Sequence, residues 1–188
     1  MPSSDLIRWG GLAGMGGGVL FIVYSLLGAV TGKGDEPGPL DLLVILAYVL
    51  IVVGLAGFHA LQQRNYGRIG RAGLYTTIGA IVLWEIFLVA SLLGGDASLG
   101  LDLFAAVGVL GLLVGEVLYG AATLQARVLP RWCGVLFILL MPVTIFLGVV
   151  LPGDLAILWV GLAWLALGYG LWSHSSGAAA EQQPLRVR

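Results

Sequence analysis

Ionisable and redox-active residues are scarce in this sequence. Its 188 residues include one cysteine, Cys133, and two histidines, and only 10% of them are charged. A single cysteine excludes an intramolecular disulfide and offers too few thiolates for a cysteine-based metal site. His59 is the only histidine within an apolar run, which excludes haem ligation by two histidines of one chain. The net charge of −1 leaves no basic surplus for a nucleic-acid partner.

The motifs that mark common enzyme chemistries are also missing. The sequence has no C-x-x-C pair, no P-loop, no H-E-x-x-H zinc motif and no G-x-S-x-G nucleophile elbow. No lysine lies within an apolar run, so a retinal Schiff base is excluded. Ser25 and Ser91 have no evident base at a matching depth. An enzyme is therefore the least favoured class, and no metal or other cofactor is expected.

Long apolar runs make up most of the chain. Hydrophobic residues account for 59% of it, and the mean hydropathy is +1.01. A transmembrane helix needs roughly 20 consecutive apolar residues. Six such runs occur, at 10–30, 42–61, 72–93, 101–124, 133–151 and 155–172. We predict an all-α, polytopic membrane bundle of six transmembrane helices (1–172), followed by a short flexible cytoplasmic tail (173–188).

The basic residues predict the orientation of the bundle. In a six-span chain, eight of the nine fall on one side: Arg8, Arg64, Arg68, Arg71, Arg127, Arg131, Arg186 and Arg188. Only Lys33 falls on the other side, where Asp35, Glu36 and Asp154 also lie. Because arginine and lysine accumulate in cytoplasmic loops, we predict that both termini are cytoplasmic. The predicted location is the cytoplasmic membrane, with multiple passes and the lipid bilayer as the main partner.

Two short segments resemble parts of a known group of proteins. The first is Leu129-Pro130-Arg131-Trp132, which closes a basic turn before Gly134 and an apolar helix. The second is the Arg8-Trp9 pair ahead of a glycine-rich helix. Both are similar to segments of small multi-pass bacterial membrane proteins of uncharacterised function. The resemblance supports the topology and implies no functional residues.

Glycines form a possible contact face on the first helix. Gly10, Gly14 and Gly18 follow the G-x-x-x-G-x-x-x-G spacing that lets two membrane helices approach closely. One interpretation is a dimer seam along this helix. The other, which we favour for a chain of six helices, is packing within the chain.

Three ionisable residues lie within the predicted spans: His59, Glu85 and Glu116. Such groups are costly in a bilayer and are functional candidates by default. At 100° per residue, Asp41, Tyr48 and His59 share a face of the second helix. Asp102 and Glu116 share a face of the fourth helix, and Tyr119 follows one turn further on. If the two faces meet, they line an interior path from Asp41 and Asp102 through Glu116 and Tyr119 to His59.

Two interpretations of these polar residues remain open. In the first, the residues are functional and either line a proton or cation pathway or form a polar floor for a lipophilic ligand. In the second, the carboxyl groups simply hydrogen-bond a neighbouring helix. Our leading hypothesis is a non-enzymatic bundle, either an accessory subunit of a membrane assembly or a binder of a lipophilic molecule. The alternative is a small proton-linked transporter or channel that uses Glu116, with His59 or Glu85 as its partner.

Overall fold

The structure, a computed structural model, consists of long helices joined by short turns. It describes residues 4–32, 38–94, 99–151 and 155–181. For residues 4, 99–102 and 175–181, it describes only the backbone. These ranges contain six α-helices: α1 (Ser4–Thr31), α2 (Asp41–Gln62), α3 (Gly67–Leu92), α4 (Leu99–Ala126), α5 (Arg131–Val150) and α6 (Leu155–Glu181). Each is long and apolar enough to cross a membrane. The predicted all-α bundle of six spanning helices is confirmed.

The helices are longer than the apolar runs that predicted them. α3 begins at Gly67, ahead of two arginines, and α6 continues through polar residues to Glu181. An apolar run marks only the part of a helix that matches the hydrocarbon core, whereas the backbone hydrogen bonds continue beyond it. Residues 173–181 of the predicted tail are therefore helical, and residues 182–188 lie outside the described part. The flexibility of the tail stays a prediction.

Residues in unusual backbone conformations separate the helices at two turns. Gly67 opens α3 with φ at +64°, a conformation that glycine adopts without strain. Arg127 follows α4 with φ at +51°. Pro130 then precedes α5, and its carbonyl accepts a hydrogen bond from the Cys133 N–H at 3.0 Å. Because proline has no backbone N–H and a fixed φ, it is tolerated at the start of a helix but not in its interior. The turn after α4 therefore ends at Pro130, and α5 begins at Arg131.

The six helices form a closed ring in sequence order. Each packs against its neighbours in the sequence, and α6 completes the ring against α1. The contact between α2 and α3 is the sparsest in this ring. Neighbouring helices are antiparallel, so one end of the bundle carries six exposed arginines: Arg8, Arg64, Arg68, Arg71, Arg127 and Arg131. We call this the arginine end. That it faces the cytoplasm stays a prediction.

Glycines bring α1 close to α2 and α6. A Cβ added at Gly10 would lie 2.7 Å from the Gly57 Cα, and one at Gly18 would lie 2.6 Å from the Gly161 carbonyl oxygen. Gly14 faces Gly168 of α6 and Gly54 of α2. The glycine face of α1 is thus covered by helices of the same chain. This arrangement corresponds to the intramolecular interpretation and leaves the seam closed to a second copy.

Candidate functional site

A cavity of about 310 Å³ occupies the centre of the ring. All six helices contribute to its wall, which is mostly aliphatic. Five aromatic side chains also line it: Phe21, Tyr24, Tyr48, Trp84 and Trp164. Phe21 and Tyr48 pack edge to face, with their ring centroids 5.1 Å apart. Sequence analysis identified Tyr48 but missed the other four rings. The residue type alone does not show whether an aromatic side chain of a membrane helix faces the lipid or the interior of the bundle.

Glu116 lies in the wall of this cavity and is 4% exposed. Two close approaches hold α4 in position around it. Gly115 lies against Thr77 of α3, and Gly120 lies against Gly134 of α5. The Oε2 atom of Glu116 is buried, and no described residue hydrogen-bonds to it. A buried polar atom without a partner costs about 1–3 kcal/mol, so this carboxyl group is available to a ligand.

Asp41 lines the cavity at the end opposite the arginines. It is 4% exposed and stands in the first turn of α2, where the helix dipole favours a negative charge. The Tyr24 hydroxyl donates a hydrogen bond to its Oδ1 at 3.1 Å. The Gly38 N–H donates to its Oδ2 at 2.7 Å. Asp41 therefore has protein partners for both oxygens, in contrast to Glu116.

Rings close the cavity towards the arginine end. Phe137 of α5 is fully buried, with Phe58, Tyr119 and Trp164 packed edge to face around it. Their ring centroids lie 5.3, 5.1 and 5.7 Å from that of Phe137, respectively. We call Phe58, Tyr119 and Phe137 the aromatic plug. It separates the cavity from the polar groups at the arginine end.

Three polar side chains follow one another from the plug towards the arginine end. The Tyr119 hydroxyl is buried and has no hydrogen-bond partner within the described ranges. Its ring packs edge to face on Tyr66, at a centroid distance of 6.0 Å. The Tyr66 hydroxyl is hydrogen-bonded to Nδ1 of His59, which is partly exposed. Tyr66 was missed by sequence analysis because it lies in the turn before α3; the glycine at position 70, directly under its ring, is the one local signal of its placement.

Both predicted polar faces contribute residues to the wall of the cavity. Asp41 and Tyr48 of α2 line the cavity, while His59 of the same helix lies on the arginine side of the plug. From α4, Glu116 lines the cavity together with Val109 and Leu112. The side chain of Asp102, the predicted outer residue of this face, lies outside the described residues. Asp41, Tyr48 and Glu116 thus line one space, whereas His59 lies outside it.

Glu85 lies in a second space, a crevice of about 640 Å³ along the sparse contact between α2 and α3. The crevice is otherwise apolar apart from Tyr48. The Glu85 Oε1 atom is buried, and the described part of the chain offers it no hydrogen bond. Tyr48 and Ile81 line both the crevice and the central cavity. Tyr48 thus lines one space together with Glu116 and the other together with Glu85.

The described residues contain no group of three His, Cys, Asp or Glu side chains that could hold a metal ion. Cys133 is buried and unpaired. The arrangement can instead enclose a small molecule and offer it one carboxyl group within an apolar and aromatic wall.

No protein family, curated protein or solved structure matches the chain.

Proposed function

We propose that this chain is a non-enzymatic membrane bundle that binds a lipophilic small molecule in its central cavity. The observation that carries the proposal is the cavity itself, which has the unpartnered Glu116 carboxyl group in its wall. Ligand pockets in proteins have volumes of about 300–1,000 Å³ and combine apolar walls with a few polar groups. The volume and the wall of this cavity fall within that description.

The crevice between α2 and α3 supports access from the bilayer. It shares Tyr48 and Ile81 with the cavity, so movement of these two side chains would join the two spaces. A lipophilic molecule dissolved in the membrane would reach the crevice by lateral diffusion. The aromatic plug blocks the route from the arginine end. We propose this crevice as the route by which the ligand enters.

Filling the cavity should remove the ligand. We expect a lipophilic molecule to be extracted from the purified protein at close to one per chain and to be identified by mass spectrometry. Leu112→Trp should abolish its recovery, because Leu112 is 4% exposed and lines the cavity. Leu110→Trp is the matched control on the same helix, since Leu110 is 60% exposed. Equal recovery from both variants and the wild type would contradict the proposal.

A second candidate is a proton-linked transporter that uses Glu116. The observation in its favour is the succession of Tyr119, Tyr66 and His59 between the cavity and the arginine end. A proton could pass along hydroxyl and imidazole groups if the plug rearranged. The accessory-subunit alternative is less well supported by the α1 glycines, because these pack against α2 and α6 of the same chain.

Proton flux distinguishes the two candidates. For a binder we expect no flux above empty liposomes when a pH gradient is imposed, in the wild type and in Glu116→Gln alike. Tyr119→Phe sharpens the test, because its hydroxyl has no partner among the described residues. Removing an unsatisfied buried hydroxyl should leave the melting temperature unchanged or raise it slightly. Flux in the wild type that Glu116→Gln and Tyr119→Phe both eliminate would establish the transporter instead.

A further inference from the structure

The central cavity has a one-sided set of charges. Two carboxyl groups line it, from Asp41 and Glu116, and within the described ranges no lysine, arginine or histidine does. Five aromatic rings complete its wall. Ring faces carry a partial negative charge and attract cations, most strongly where water is excluded. Carboxyl groups and ring faces thus give the cavity the same electrostatic preference.

Only one of the two carboxyl groups is open to a ligand. Asp41 accepts hydrogen bonds from the Tyr24 hydroxyl and the Gly38 N–H. Glu116 is 4% exposed, and its Oε2 atom has no partner in the described part of the chain. A counter-charge at short range offsets part of the desolvation penalty of a buried carboxylate when the geometry is good. Glu116 is therefore the carboxyl group of the cavity wall that a cationic ligand can pair with.

We infer that the ligand is a lipophilic cation, a hydrophobic amine or quaternary ammonium compound, whose positive group pairs with Glu116. This inference rests on the proposed function and specifies the ligand class of the same cavity. The rings of Phe21, Tyr48 and Trp164 surround the hydrophobic body and the charged group. A neutral lipophile offers the carboxyl group no counter-charge, and an anion is disfavoured by the two carboxyl groups and the ring faces.

The crevice suits the same class of ligand. Glu85 is the one charged side chain among the described residues that line it. A cation moving from the membrane through the crevice first meets Glu85 and then passes Tyr48, which lines both the crevice and the cavity. Two carboxyl groups in succession reduce the penalty of carrying a charge through an apolar region. Glu85 acts along the route, whereas Glu116 holds the bound cation.

Two ligands of the same shape test the inference. One is phenylbutyl-trimethylammonium, and the other is its neutral isostere, in which a tert-butyl group replaces the trimethylammonium group. Binding is measured by calorimetry on the full chain in lipid nanodiscs. We expect the cation to bind at least tenfold more tightly than the isostere. Glu116→Gln should weaken cation binding by about thirtyfold or more, as removal of one partner of a buried charge pair does, and should leave binding of the isostere unchanged.

The variants and ligands separate the possible failures. Retained binding of the neutral isostere shows that Glu116→Gln is folded. Glu85→Gln is the control and should change the equilibrium affinity for the cation less than about threefold, because Glu85 lies outside the cavity. Equal binding of the two ligands to the wild type would overturn the cation inference and leave the proposed function standing. Binding of neither ligand would overturn both, and loss of cation binding only in Glu85→Gln would move the site to the crevice.

Discussion

Gly18→Ala is expected to destabilise the bundle substantially, whereas Gly79→Ala should not. A Cβ at position 18 would lie 2.6 Å from the Gly161 carbonyl oxygen and 2.7 Å from the Leu165 amide nitrogen. Both are backbone atoms of α6, so the clash can be relieved only by separating α1 from α6. Overpacking of this kind costs about 1–3 kcal/mol. For a chain of this size we expect the melting temperature to fall by about 2–10 °C.

Gly79 provides the matched control for this prediction. It is also a glycine within a helix, but nothing lies within 4 Å of the position that its Cβ would occupy. Alanine there should leave stability unchanged or raise it slightly, because alanine favours a helical backbone more than glycine does. The measurement is the fraction of monodisperse protein that survives heating in detergent. Indistinguishable melting of the two variants would refute the close contact between α1 and α6.

Phe137→Ala should be the most destabilising of the single changes to the aromatic plug. Phe137 is fully buried, and three rings pack edge to face on it. In water-soluble cores such a truncation costs about 3–5 kcal/mol. Part of that cost is transfer from water, which a membrane bundle does not gain. We therefore expect a loss of about 2–3 kcal/mol from packing alone.

Phe146→Ala on the same helix is the control for the plug. Phe146 is 64% exposed on the outer surface of the ring, so its removal exchanges a lipid contact for another lipid contact. Its melting temperature should stay within about 1–2 °C of that of the wild type. Opening of the plug has a second readout, because a water-soluble maleimide should reach the buried Cys133 in Phe137→Ala sooner than in Phe146→Ala. Equal labelling and equal melting would argue that the ring cluster contributes little to the fold.

The number of helices could be predicted from the sequence, because a membrane-spanning helix requires only a sufficiently long stretch of apolar residues. An apolar run of about 20 residues identifies a span whatever its neighbours are, and all six spans were predicted in this way. The ends of the helices were less accurate. Arg68 and Arg71 interrupt the apolar run but not the backbone of α3, which begins at Gly67.

The cavity could be anticipated only in part. The cost of an ionisable group in a bilayer identifies Glu116 and Glu85 from the sequence, and helical periodicity assigns Tyr48 and Asp41 to one face. The position of Tyr66 under Tyr119 depends on the backbone turn at Gly67, which periodicity does not describe. The pairing of Tyr24 with Asp41 depends on the packing of α1 against α2. Contacts between helices require the distances between them, and one sequence does not contain these.

The uneven contacts around the ring have a mechanical consequence. Glycine-to-backbone approaches hold α1 to α2 and α6, α3 to α4, and α4 to α5. No comparable approach of a described glycine joins α2 to α3 or α5 to α6, and of these two contacts the one between α2 and α3 is the sparser. A ligand larger than the cavity is therefore expected to strain the contact between α2 and α3 first. The bundle is most compliant between α2 and α3, so the size of the largest ligand that it accepts is set by how far these two helices can part.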